Sequence, residues 1–265
     1  MTLRKTEIAG ALSEQRQQLQ QLIAALTPRD LAAASLCSGW SNHNVLSHVL
    51  SFELNPLDFW LLILKLRPLD EITARQSYRY ADSTQDDYRK LLEKGQRRVL
   101  RLLQVAPNWL LDRKFVPVPH GRLSLGQLFG DIVIDRAIHY LDIAAPLGKG
   151  SRITSSAVMD VCLDFMFASI DLLNHRIPSR YHGRIVAIQL TGLGARTVYW
   201  KLGTSELLST SKARPVLRVK GDTNDFLATI TVRKRLIRMP LVIEGDATLG
   251  QQLRTSFNAN ALWDA

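Results

Sequence analysis

Asp135 and His139 stand four residues apart in a segment, 125–147, with helical periodicity. On a helix that spacing puts a carboxylate and an imidazole on one face, one turn apart. Such a pair can share a divalent metal from one side. Taken alone it is also what an ordinary helix presents. His48 is the second candidate. Val45, Leu46, Val49 and Leu50 make its surroundings apolar, so it reads either as a satisfied core histidine or as an inward-facing ligand. Bundles build metal sites from inward-facing residues on different helices. His48, Asp135 and His139 together would supply two nitrogens and one oxygen. Three protein ligands leave positions open for water or substrate, as a catalytic site requires. Zinc is the default for these donors, and nickel, iron or manganese could occupy the same set.

Other polar residues rank lower. His43 precedes His48 by five residues, about 140° around a helix, and is expected at the surface near the helix start. Asp131 lies one turn before Asp135 and is the fallback carboxylate. His120 sits among Pro117, Pro119 and Gly121, where it could cover the mouth of the site. His175 and His182 are expected in solvent. No residue reads as a protein nucleophile.

The elements that must position these groups follow from periodicity and caps. Residues 5–26 form an amphipathic helix on Ile8, Leu12, Leu19, Leu22, Ile23 and Leu26, stopped at Thr27-Pro28. Ser41 caps a second helix, 41–66, which Asn55-Pro56 kinks or breaks and Pro68 ends. Ser83 or Thr84 starts a third, running to about residue 104. A proline-rich loop holds Pro107, Pro117 and Pro119. Ser124 caps the fourth helix. Four helices with one long excursion suggest a bundle over residues 1–150. A bridging helix, about 153–174, occupies most of a 151–180 linker. Beyond 180 the period changes to that of strands, at 184–190, 197–202, 216–219 and 240–244. Gly221-Asp222 and Gly245-Asp246 each follow a strand and open a helix, so residues 181–265 read as α+β.

Composition narrows the partners. Net charge is +10, which favours anionic small molecules, nucleic acid or anionic lipid. No zinc-finger, RNP-like or basic-tail pattern marks a dedicated nucleic-acid binder. The basic spots at 97–101 and 233–238 read as solvated faces. Cys37 and Cys162 are too few for a disulfide framework, and fit a reducing cytoplasm. The polar N-terminus is not a signal peptide. The longest apolar stretch, 57–66, is far short of the ~20 residues a spanning helix needs. It reads as buried helix, or as an apolar face, 59–64, that meets a membrane or partner. A monomer or a homodimer would suit a bundle of this type.

Cys37-Ser38-Gly39-Trp40, then Ser41 and His48, resemble the N-terminal signature of the mycothiol-dependent maleylpyruvate isomerase family, with Ser38 in place of the usual proline. Asp135, His139, Asp142 and Ala144 resemble its second signature, with Asp135 in place of the usual glutamate. The likeness covers residues 8–148 and implies a DinB-like metal-binding four-helix bundle. Val216 to Phe257, with Ile243-Glu244-Gly245-Asp246 and Leu249, resembles sterol-carrier-protein-2-like domains. The fold class expected is therefore α plus α+β: a DinB-like bundle followed by a C-terminal SCP2-like domain. The resemblance implies His48, Asp135 and His139 as ligands and a low-molecular-weight thiol as cofactor. It also implies isomerisation of, or transfer to, an electrophilic and anionic small molecule. Arg233, Arg235 and Arg238 could pair with carboxylates of such ligands. The alternatives are a lipid-handling protein, which would take an apolar ligand, and a non-catalytic regulatory descendant.

Overall fold

The computed structural model describes residues 3–55, 57–58, 61, 69–118 and 120–256. The apolar run 59–64, apart from Leu61, lies outside them. So do the end of the second expected helix and Pro119.

Side-chain caps at Ser41, Thr84 and Ser124 start helices where the sequence places them. Helix α1 is Lys5–Ala24. Thr27 accepts from the Asp30 amide and opens the short α2, Pro28–Ala32, with proline at its first turn. Ser41 accepts from the Asn44 amide and Asn44 returns the bond, starting α3, Asn42–Leu54. Thr84 with Asp87 caps α5, Gln85–Val105. Ser124 with Gln127 caps α7, Leu125–Ala144. Helices α1, α3, α5 and α7 pack against one another.

Two segments depart from the expected loops. Between Pro68 and Ser83 lies a helix, α4, Leu69–Arg79, packed on α3. It has no apolar stripe to betray it. Instead α3 holds it by polar side chains: Ser47 Oγ donates to the Gln76 carbonyl at 2.6 Å and Asn44 Nδ2 to the Ser77 carbonyl at 3.0 Å. The proline-rich loop is also ordered. It forms a short helix α6, Asn108–Asp112, and a hairpin of β1, Lys114–Val118, with β2, Gly121–Ser124. Pro117 is tolerated there because a two-stranded ribbon is all edge.

The bridging helix is shorter than expected. It is α8, Ser156–Ala168, packed on α1 and α7, and it passes into a 3₁₀ segment, Ile170–Arg176. The C-terminal sheet has five strands: β3 Ile185–Thr191, β4 Arg196–Lys201, β5 Leu207–Leu208, β6 Leu217–Asp222 and β7 Val242–Gly245. Their order is β5-β4-β3-β6-β7, with β3 and β6 parallel and the other pairs antiparallel. Asp222 caps α9, Thr223–Ile230, and Asp246 accepts from the Leu249 amide in α10, Ala247–Ser256. A helical N-terminal region and a C-terminal sheet thus make a mixed α and α+β chain. One continuous apolar core joins them, running from Ile8 and Val133 through Phe165 to Val219 and Phe226. Among the described residues no helix is long and apolar enough to cross a membrane.

Candidate metal centre

Helices α3 and α7 carry the donor residues, and a buried ionic contact fixes one against the other. Arg136, next to Asp135, bonds Glu53 of α3 through Nε. Its Nη1 reaches Gln96 Oε1 of α5 at 2.6 Å. Both side chains of the ion pair are 1% exposed. Gly95 makes room for this cluster: a Cβ there would lie 2.5 Å from Glu53 Oε2.

With α3 and α7 so locked, His48 and the Asp135–His139 pair face each other. Asp135 Oδ1 is 3.3 Å from His139 Nε2 and 3.7 Å from His48 Nε2. One ligand atom from each residue lies within 4.8 Å of the other two. Donors 2.0–2.2 Å from a tetrahedral ion sit about 3.4 Å apart by the bond lengths and angle. These two separations bracket that value and the third lies within 4.8 Å, so the residues suit one ion. Asp135 is the most open of the three, at 35% side-chain exposure. A ligand must approach from its side.

The electrostatics describe the metal-free set. Burial opposes charge on His139, but the Asp135 carboxylate and hydrogen bonds to Asp135, Asp142 and Cys37 outweigh it and hold its pKa well above the ordinary value. Burial likewise pushes Asp135 up, yet the charges and hydrogen bonds of His139 and His48 bring it below the usual carboxylate range. Burial, then the Asp135 charge, raises Asp131 to about 8.

His139 is oriented from behind. Its Nδ1 donates to Asp142 Oδ2 at 2.9 Å, which leaves Nε2 free to face Asp135. Asp142 is fully buried and accepts two bonds from Arg233, Nε to Oδ1 at 3.1 Å and Nη2 to Oδ2 at 2.8 Å. Cys37 Sγ donates to the same carboxylate at 3.0 Å. Cys37, His139 and Asp142 form a second cluster with metal-ligand spacing. There the Arg233 guanidinium, 3.7 Å from Sγ, already supplies the positive charge. We read it as support for His139. His48 lacks such a partner: its Nδ1 is buried and unpaired.

Trp40 covers the imidazoles, its ring centroid 5.4 Å from His48 and 6.5 Å from His139. A tight turn places it. The Trp40 amide bonds the Cys37 carbonyl at 3.1 Å and Gly39 has φ +77°. This is the pattern of a type II turn, whose second position favours proline. Ser38 stands at that position. The Leu36 amide then ties the loop to the Asp142 carbonyl at 3.0 Å.

A cleft of about 740 Å³ opens beside Cys37 and Trp40 and is bounded across by Val232, Arg233, Lys234 and Arg235. Val232, which delivers Arg233, has φ +60°. A β-branched residue there is strained, and such strain collects at functional sites.

Not every sequence candidate comes to this place. Arg233 and Arg235 line the cleft, which none of His48, Asp135 and His139 lines. Arg238 does not line the cleft; its Nη2 reaches Ser151 Oγ at 3.4 Å. His120 stacks on His175 at 3.6 Å between centroids and likewise does not line the cleft. His175 and His182 are exposed. His43, expected at the surface, is half-buried with Nδ1 3.0 Å from the Tyr88 hydroxyl. Sequence reading missed the supporting roles of Asp142, Glu53 and Arg136. Asp142 carried a signal, three residues after His139 on the same face; Glu53 and Arg136 carried none.

Helices bearing a two-histidine, one-carboxylate set, joined to an α+β unit that braces it, define a class. The model of the mycothiol maleylpyruvate isomerase N-terminal domain matches residues 12–144, half of the chain. The chain belongs to that family. Two crystal structures also resemble it, one of the mycothiol-dependent maleylpyruvate isomerase and one of a histidine-to-alanine mutant of that enzyme. Each is 14% identical, with a TM-score of 0.52, covering 86% of this chain and 90% of the other. That likeness is one of fold. No curated protein matches.

Proposed function

We propose that the protein is a metal-dependent enzyme that activates a low-molecular-weight thiol for addition to an electrophilic, anionic small molecule. His48, Asp135 and His139 hold one divalent ion, zinc by preference. The observation that carries this reading is the convergence of their three donor atoms within 4.8 Å, on the open side of a braced histidine. Family membership supports the thiol. A bound metal would lower the pKa of a thiol coordinated to it, giving a nucleophile near neutral pH.

The chain supplies position and charge. Asp142 fixes the tautomer and ring angle of His139. Trp40 shields both imidazoles from water on one side. Arg233 is already engaged with Asp142, which leaves Lys234 and Arg235 on the cleft wall to attract carboxylates of an incoming acid. Addition of the thiol to a double bond, rotation and expulsion give isomerisation; retention of the thiol gives transfer.

The reading includes the finer fold assignments. Ligands projecting between α3 and α7 of a four-helix pack support a DinB-like bundle. The repeated strand–Gly-Asp–helix units, β6–α9 and β7–α10, support a sterol-carrier-like C-terminal unit.

Elemental mass spectrometry of untagged protein, beside a His48→Ala variant, tests the reading. Near-stoichiometric metal in the parent and its loss in the variant are expected. Parent protein should then interconvert the cis and trans forms of an unsaturated oxo diacid only with added thiol. No metal in either protein after incubation with zinc overturns the reading, and solvent extraction for an apolar ligand then tests the lipid-handling alternative.

A further inference from the structure

The outer face of the α5–α6–β1 region combines basic charge with exposed apolar side chains. Residues 94–122 contain seven Lys and Arg against one acidic residue, Asp112. That net +6 is more than half of the chain's +10. Lys94, Arg98, Arg101 and Val105 recur along one side of α5 at helical spacing, and all are exposed. The opposite side of α5 is the buried one, carrying Tyr88, Leu92, Val99 and Leu103.

Large apolar side chains are interleaved with these charges. Leu102 is 50% exposed, Val105 70%, Trp109 62% and Phe115 38%. They fall within fourteen residues of continuous chain, and local bonds keep them close. The Ala106 amide bonds the Leu102 carbonyl at 3.0 Å, and the Arg113 amide bonds the Trp109 carbonyl at 3.2 Å. Folding alone does not call for an exposed tryptophan beside an exposed valine at a helix end. Two of the cations are partly engaged: Arg98 Nη1 donates to the Leu54 carbonyl at 2.8 Å and Lys114 pairs with Asp171 at 2.7 Å. Neither is withdrawn from the surface.

We propose that this face docks on an anionic lipid bilayer, with Leu102, Val105, Trp109 and Phe115 entering the headgroup boundary and the flanking arginines meeting lipid phosphates and carboxylates. The combination is that of interfacial segments: apolar and aromatic groups for the boundary, a basic rim for surface charge. A single-stranded or duplex nucleic acid would satisfy the charge, but it offers nothing to several aliphatic groups side by side. A second copy of the chain would cover the apolar groups while setting two basic faces against each other. The bilayer satisfies both features. The surface is separate from the metal centre and does not depend on its chemistry.

Co-sedimentation tests this with the full chain and two vesicle preparations, phosphatidylcholine alone and phosphatidylcholine mixed with phosphatidylserine. The protein should pellet with the mixed vesicles at low salt, be released by high salt, and stay soluble with phosphatidylcholine alone. Each basic residue near an anionic surface is worth about five-fold in partitioning. An Arg98→Gln/Arg101→Gln variant should therefore bind roughly 25-fold more weakly. Trp109→Ser should bind more weakly at every salt concentration. Both variants keep the buried side of α5, and metal content with circular dichroism checks that they fold. Failure of the parent to pellet at low salt overturns the proposal. So does pelleting that these substitutions leave unchanged, tighter retention on DNA than on the mixed vesicles, or a dimer in solution that Trp109→Ser dissociates.

Discussion

Asp142→Asn separates bracing of the metal site from stability of the fold. Asn keeps the shape of the side chain and an acceptor oxygen but removes the charge. Three groups feel the change: His139 Nδ1 at 2.9 Å, Arg233 through two bonds, and Cys37 Sγ at 3.0 Å. A hydrogen bond to a carboxylate is roughly twice as strong as one to a neutral acceptor. Losing the charge-assisted part of the His139 bond costs about 1.5 kcal/mol, a factor of about ten in metal affinity, at the low end of the 10- to 100-fold range for such partners. Arg233 is 22% exposed and can recover water, so its share falls mainly on fold stability. The assay is competition for zinc against a chromophoric chelator, with melting of the metal-free protein alongside. Arg233→Met in the Asp142→Asn background adds information. If Arg233 acts through Asp142, the second substitution changes zinc affinity little once the first is made. Zinc affinity within two-fold of the parent in Asp142→Asn would refute the bracing argument. Full additivity of the two substitutions would show that Arg233 reaches the site by another route.

Three further outcomes follow from the geometry. The raised pKa of Asp131, about 8 against an ordinary 3.8, means that the folded chain keeps a proton the unfolded chain has lost. That group has no effect on folding below about pH 4 and opposes it progressively as pH rises from about 4 to about 8. Asp131→Asn should therefore raise the melting temperature of metal-free protein more at pH 9 than at pH 4, and an equal effect at both would sink the assignment. Gly95→Ala sets about 1 kcal/mol of helix propensity against a Cβ that would meet Glu53 Oε2 at 2.5 Å. Glu53 is held by Arg136 and cannot retreat, so overpacking wins by about 1–2 kcal/mol in urea unfolding; a stabilised variant would show that the α3–α7 lock is soft. Ser38→Pro should stabilise by about 0.4–1 kcal/mol, because a type II turn accepts proline at its second position. A loss of stability in thermal melts would show that the Cys37–Trp40 turn is of another type.

The sequence alone determined what depends on neighbours along the chain. Ser41, Thr84 and Ser124 mark helix starts because a cap bonds an amide two or three residues away. The Asp135–His139 pair was legible for the same reason: four residues on a helix are one turn in any fold. His48 was legible as inward-facing from the apolar residues around it. The change of period past residue 180 announced the sheet. Helix α4 escaped because it docks through Ser47 and Asn44 onto backbone carbonyls, and such bonds leave no hydrophobic period to read. The hairpin at Pro117 escaped because a proline-rich stretch pairs only when an edge is available to it. Tertiary structure alone decided that His48 meets Asp135, which depends on how α3 lies along α7, and hence on a Glu53–Arg136 contact between residues 83 positions apart. It alone decided that Arg233 braces Asp142 from 91 positions away. Short-range propensity carries no information about such distances; only the packing of one element on another sets them.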